Sequence, residues 1–169
     1  MLPLYSPRTA EMLFNIIRES LQGRISVELR PSLALSMAIF LNNLRVALIS
    51  LLLGFTVLGP LVIVSGNGAI LGLVASYAVV RGSPPLVVAA SILPHGVIEL
   101  SAIIYVVALS VELGVRFWRW LLYRSREGLE EFLRGLPRGL ATVIVLLFVA
   151  ALVEGMVTPL VVVWVKSLL

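Results

Sequence analysis

From Val46 to Val80 the chain carries no charged residue. This run constrains the fold more than any other feature. A helix that crosses the apolar layer of a bilayer needs about 20 predominantly apolar residues, and the run is longer than one straight span requires. The rest of the composition agrees. Of 169 residues, 60% are hydrophobic and only 13% are charged, about half the charged share of an ordinary soluble domain. So much apolar surface excludes a disordered chain. The absence of Cys excludes a disulfide framework and every thiol-based site. The fold class indicated is an all-α, polytopic transmembrane helical bundle.

Charge placement narrows the partners. The net charge is +4, and twelve of the thirteen basic residues are Arg. Arg8, Arg18, Arg24, Arg30 and Arg45 lie near the N-terminus, and Arg116, Arg119, Arg124, Arg126, Arg134 and Arg138 in one short stretch. Long apolar runs separate the two groups, as expected for residues flanking spans on the cytoplasmic side. A nucleic-acid surface is not expected, whereas contact between the basic loops and anionic lipid is. The first thirty residues lack the apolar core and cleavage pattern of a secretory signal. A multi-pass protein of the cell membrane with a cytoplasmic N-terminus is the resulting expectation.

Residues 1–30 read as an amphipathic segment, with Leu13, Ile16, Ile17 and Leu21 at helical spacing. Residues 31–169 read as the membrane domain, with a short helix from Pro31 towards Asn42. The expected helices are 44–64, 69–80, 86–93, 97–120 and 139–165, with an interfacial helix over 125–133. Gly59-Pro60 should kink the first span, and Ser65-Gly66-Asn67-Gly68 should turn the chain. Pro94-His95-Gly96 and Gly135-Leu136-Pro137 are read as breaks, and Pro159 as a kink in the last span. Gly54, Gly59, Gly68 and Gly72 allow close helix approach. Trp118, Trp120 and Trp164 are expected as anchors at the membrane–water interface. Placing both Arg groups on one side makes 68–95 a short hairpin, re-entrant or barely spanning, with its tip near Arg81. The simpler arrangement of four full spans puts the second Arg group outside.

Polar groups inside apolar runs are costly unless paired, so the few present are informative. They are Asn42, Asn43, Arg45, Asn67, His95, Glu99 and Glu154. His95 and Glu99 are four apart and share a helix face. They could hold a proton or a metal, or simply make a structural hydrogen bond. One His with carboxylates could ligate zinc, but the second His of a zinc-helix motif is missing. No metal or other cofactor is therefore expected. For Glu154 the expected partners are the donors Asn42, Asn43 and Arg45.

Four blocks then occur in order: Phe40-Leu41-Asn42-Asn43-Leu44, Ser65-Gly66-Asn67-Gly68 with Gly72, Leu93-Pro94-His95-Gly96-Val97-Ile98-Glu99-Leu100, and Val153-Glu154-Gly155-Met156-Val157-Thr158-Pro159. In these the chain resembles the stage II sporulation protein M family of polytopic membrane proteins, over about residues 35–165. The resemblance departs at the N-terminus, where family members have a further span and a polar segment. It implies that Asn42, Asn43, Asn67, His95, Glu99 and Glu154 converge in one intramembrane cluster. It also implies a non-enzymatic role, since the sporulation member is a scaffold in an envelope-remodelling complex with separate wall-degrading partners. Nothing in this sequence is specific to sporulation.

The expected function is a membrane scaffold or membrane-organising protein acting as a homo-oligomer, a dimer first, or with membrane or envelope partners. The alternatives are a transporter component using Glu99 and Glu154, and, less favoured, an intramembrane metalloenzyme.

Overall fold

The computed structural model describes residues 31–124 and 128–169. The chain divides into two units, Met1–Arg30 and Pro31–Leu169, and the second holds every described helix. The expected amphipathic segment 1–30, and residues 125–127 of the expected interfacial helix, lie outside the described residues.

The described chain is helical, with no strand among the described residues. Helix α1 (Leu33–Leu52) is capped by Ser32, whose Oγ accepts from the Leu35 N–H at 3.2 Å. It ends in a 3₁₀ turn, Leu53–Thr56. Helix α2 spans Gly59–Val80, and α3 spans Pro85–Tyr123. Helix α4 (Leu129–Leu152) passes through a π-turn, Val153–Val157, into α5 (Thr158–Lys166). Four stretches are long and apolar enough to cross a bilayer: Leu33–Thr56, Gly59–Val80, Pro85–Tyr123 and Leu129–Lys166.

Several expected breaks are therefore not breaks. Ser65-Gly66-Asn67-Gly68 lies inside α2, Pro94-His95-Gly96 inside α3, and Pro137 inside α4. The segments expected at 69–80 and 86–93 are parts of longer helices, and the interfacial 129–133 is the first turn of α4. One physical reason covers those in α2 and α3. In water Gly and Pro free the backbone to bond solvent, but in an apolar layer a broken turn has no other partner. The break that does occur is at Val57-Leu58, earlier than the expected end of the first span at residue 64. There the Leu58 N–H reaches Thr56 O at 2.7 Å, and Val57 takes φ 61°, ψ −45°. That is the tight three-residue γ-turn geometry, which a β-branched residue adopts only under strain. Gly59 and Pro60 then start α2.

The hairpin with its tip at Arg81 is present, but both arms are full length. Helix α2 has 22 residues, about 33 Å of rise, and α3 is longer still. The turn at 81–84 and Tyr123 thus lie at opposite ends of α3, and both arms are long enough to cross a bilayer, longer than the short hairpin expected. At the 124–128 junction Arg116 ties the chain down. Its Nη1 donates to Gly128 O at 2.6 Å, and its Nε and Nη2 donate to Glu112 Oε1 at 2.9 and 2.6 Å.

The core joins α1, α3 and α4 through Ala47, Ala102, Val106, Val143 and Leu147. Phe40 and Phe148 meet edge-on beside it, with centroids 5.5 Å apart. Small residues set the closest approach of the α1 end to α3. A Cβ on Gly114 would fall on the Gly54 carbonyl, and one on Gly54 on the Ser110 carbonyl. Trp118 donates its indole N–H to Phe55 O at 2.6 Å and so pins the end of α1 to α3. Trp118 and Trp164 are exposed and Trp120 is half-buried. Cβ atoms added at Gly68 and Gly72, in contrast, would meet nothing within 4 Å. The helix approach expected at those two positions is not made among the described residues.

Candidate functional site: a histidine–carboxylate cluster

The last crossing is shaped by Pro159. Proline has no N–H to give residue 155, and its ring clashes with the carbonyl one turn back. The helix responds by widening to a π-turn over Val153–Val157. The backbone N–H and the hydroxyl of Thr158 both turn to Val153 O, the hydroxyl at 3.2 Å. The Gly155 carbonyl, left without its helical donor, accepts the Ser32 N–H at 3.0 Å. A Cβ on Gly155 would strike Ser36 Oγ, so the start of α1 rests directly on this glycine. Turns of this kind inside α-helices are frequent at functional sites.

The π-turn aims Glu154 at α3. Glu154 Oε2 lies 3.9 Å from His95 Nε2, and His95 Nδ1 is 3.4 Å from Thr158 Oγ1. Glu99, one turn beyond His95, completes the group: His95, Glu99 and Glu154 each offer one ligand atom, all within 4.8 Å of one another. His95 is buried, at 8% exposure, and the two carboxylates are half-buried. His95 lies ten residues past Pro85, about 15 Å along α3, and Glu154 lies twelve residues before Lys166, about 18 Å. Ser32, at the start of α1, is bonded at the level of Gly155.

The other sequence candidates divide as follows. Asn43 shares the face of α1 that carries Ser36, Ala47 and Ser50, all buried. Asn67 is exposed, on the α2 face that also carries the buried Pro60. Packing of Ala75 and Val79 beside Pro85–Leu93 brings Asn67 to roughly the depth of Glu99. Neither Asn is among the three residues at ligand distance. Asn42 and Arg45 are at exposed positions of α1, and the partner seen for Glu154 is His95. Sequence reasoning missed Thr158, Ser32, Ser36 and Gly155, which orient the cluster. The available signal was Pro159, whose missing N–H frees the Gly155 carbonyl.

The fold and cluster define a polytopic α-helical membrane protein with one histidine and two carboxylates gathered between its apolar helices. The chain matches the family described as "Stage II sporulation protein M" over residues 7–159, most of its length, and it belongs to that family. No curated protein and no solved structure matches it.

Proposed function

We propose that this protein is a non-enzymatic membrane scaffold, a self-associating helical unit that organises the membrane and its protein partners. The observation that carries the reading is the bare side of α2. Among its residues only Pro60 is buried. Ser65, Gly68, Gly72 and Ser76 recur at spacings of three and four, share one face, and are all exposed. Added Cβ atoms at Gly68 and Gly72 would meet nothing. Small residues at this spacing let membrane helices approach closely, and lipid-facing glycines gain nothing comparable. The exposed Asn67 on the same helix adds a polar group that a bilayer does not satisfy. A second copy supplies an identical stripe, so a two-fold contact closes on itself. The groove between α2 and α3 also favours a scaffold over a conduit. It measures about 410 Å³, and its lining of Ala75, Ser76, Val79, Val88, Ala89 and Ile92 offers one hydroxyl and no charge.

The test is stoichiometry in lipid nanodiscs. Wild type should be a dimer or larger, and Gly72→Ile should be a monomer of unchanged helicity. A monomeric wild type would remove the proposal. Arg119, Arg124, Arg134 and Arg138 near the 124–128 junction are suited to anionic headgroups. Reversing two of them to Glu should weaken binding to anionic liposomes at low salt. A second reading, proton-coupled transport, draws on the pairing of Glu99 and Glu154 between apolar helices. It requires that Glu154→Gln abolish flux in proteoliposomes, and unchanged flux excludes it.

A further inference from the structure

We propose that His95, Glu99 and Glu154 bind one divalent transition-metal cation of the zinc, cobalt or manganese type, which cross-links α3 to the π-turn. The inference goes beyond the scaffold reading and does not depend on it.

The first argument is the direction of the donors. The Thr158 hydroxyl gives its proton to Val153 O at 3.2 Å. Its oxygen is then an acceptor towards His95 Nδ1 at 3.4 Å, a contact that the Nδ1-protonated tautomer of a neutral ring makes. Nε2 is left with a bare lone pair. It points at Glu154 Oε2, itself an acceptor, from 3.9 Å, too far for a hydrogen bond. Glu99 brings a third acceptor within 4.8 Å. Three lone-pair atoms thus converge within 4.8 Å of one another. A cation is the species that satisfies all three at once.

The second argument is charge. Two carboxylates and a neutral imidazole carry a formal charge of −2, held half-buried between apolar helices where unpaired charge is costly. One divalent ion brings the group to zero without leaving any member unpaired. The third argument is chemical type. Mg²⁺ and Ca²⁺ take oxygen ligands, whereas an imidazole nitrogen with two carboxylates suits Zn²⁺ and its transition-metal neighbours. The contact of the other ring nitrogen with Thr158 has the form of the outer-shell hydrogen bond that orients a metal-bound His. In a tetrahedral site with metal–ligand bonds of about 2.0–2.1 Å the donors lie about 3.4 Å apart. Rotation of the two Glu side chains covers the difference. The Glu154 side chain is 33% exposed, which leaves a fourth ligand position open.

The full-length chain in nanodiscs would be stripped with a chelator and titrated separately with Zn²⁺ and Co²⁺. The expected result is one ion per chain by elemental analysis, with visible absorption bands for Co²⁺ of a site with a nitrogen ligand. Zn²⁺ should also raise the thermal midpoint of the wild type. Glu99→Gln and Glu154→Gln, which keep the side-chain shape, should each weaken binding by about 100-fold or more and abolish the thermal shift. Glu112→Gln, at a carboxylate paired with Arg116, should leave both unchanged. His95→Ala should bind no Co²⁺ with the wild-type spectrum. A folded wild type that takes up no stoichiometric Zn²⁺ or Co²⁺ overturns the proposal. So does equal uptake by wild type, Glu99→Gln and Glu154→Gln. Protons alone would then satisfy the cluster.

Discussion

Replacing Gly155 by Ala should detach the start of α1 from the π-turn. The new Cβ would strike Ser36 Oγ, and it would lie 2.8 Å from the Ser36 backbone nitrogen and 3.0 Å from Ser32 O. The hydroxyl can rotate away, but the two backbone atoms cannot, so α1 must shift. Overpacking of this kind costs about 1–3 kcal/mol. The shift also breaks the Ser32 N–H to Gly155 O bond of 3.0 Å, which contributes about 1 kcal/mol. The total is about 2–4 kcal/mol, or roughly 30- to 1000-fold in the unfolding equilibrium. Reversible unfolding in mixed micelles, followed by far-ultraviolet circular dichroism, measures it. Gly135→Ala is the control, because nothing lies within 4 Å of its added Cβ; it should change stability by less than about 1 kcal/mol. Gly155→Ser should be at least as damaging as Gly155→Ala, and adding Ser36→Ala should restore only part of the loss. A Gly155→Ala protein within about 0.5 kcal/mol of wild type would refute the close contact between α1 and the π-turn.

Two further predictions concern the crossings. The native chain has no Cys, so single cysteines at Ser83 and Glu130 report topology directly; an impermeant thiol reagent should reach them from opposite sides of a sealed vesicle, and labelling from one side would restore the short-hairpin reading. Val57→Gly should relieve the positive φ of 61° and raise stability by about 1 kcal/mol, measured by the same micelle unfolding; a loss would mean that Val57 contributes more through packing than it costs in backbone strain.

How much was legible in the sequence differs between the helices and the site. The Val46–Val80 run announced membrane helices, and His95 and Glu99 were readable as a pair from their spacing alone. The continuity of α2 and α3 was not readable, because Ser65-Gly66-Asn67-Gly68 and Pro94-His95-Gly96 follow turn rules calibrated in water. In an apolar layer the demand for internal hydrogen bonds overrides them. The arrival of Glu154 beside His95 is a tertiary fact. It depends on a π-turn, for which Pro159 was the local signal, and on the register between α3 and the last crossing, which has no local signature. Arg45 was grouped with the cluster because it is charged and flanked by apolar residues. Its position two residues before Ala47, which is buried, turns it to the other side of α1. Asn43, one helical turn before Ala47, keeps the inner face.

Cysteine cross-linking in native membranes tests self-association through α2 most directly. Ser65→Cys and Ser76→Cys lie on the stripe with Gly68 and Gly72, and Ile70→Cys lies well away from it on the same helix. The account predicts disulfide-linked dimers on mild oxidation for the two stripe positions and none for Ile70→Cys. Monomers at all three positions, or equal cross-linking at all three, would contradict it.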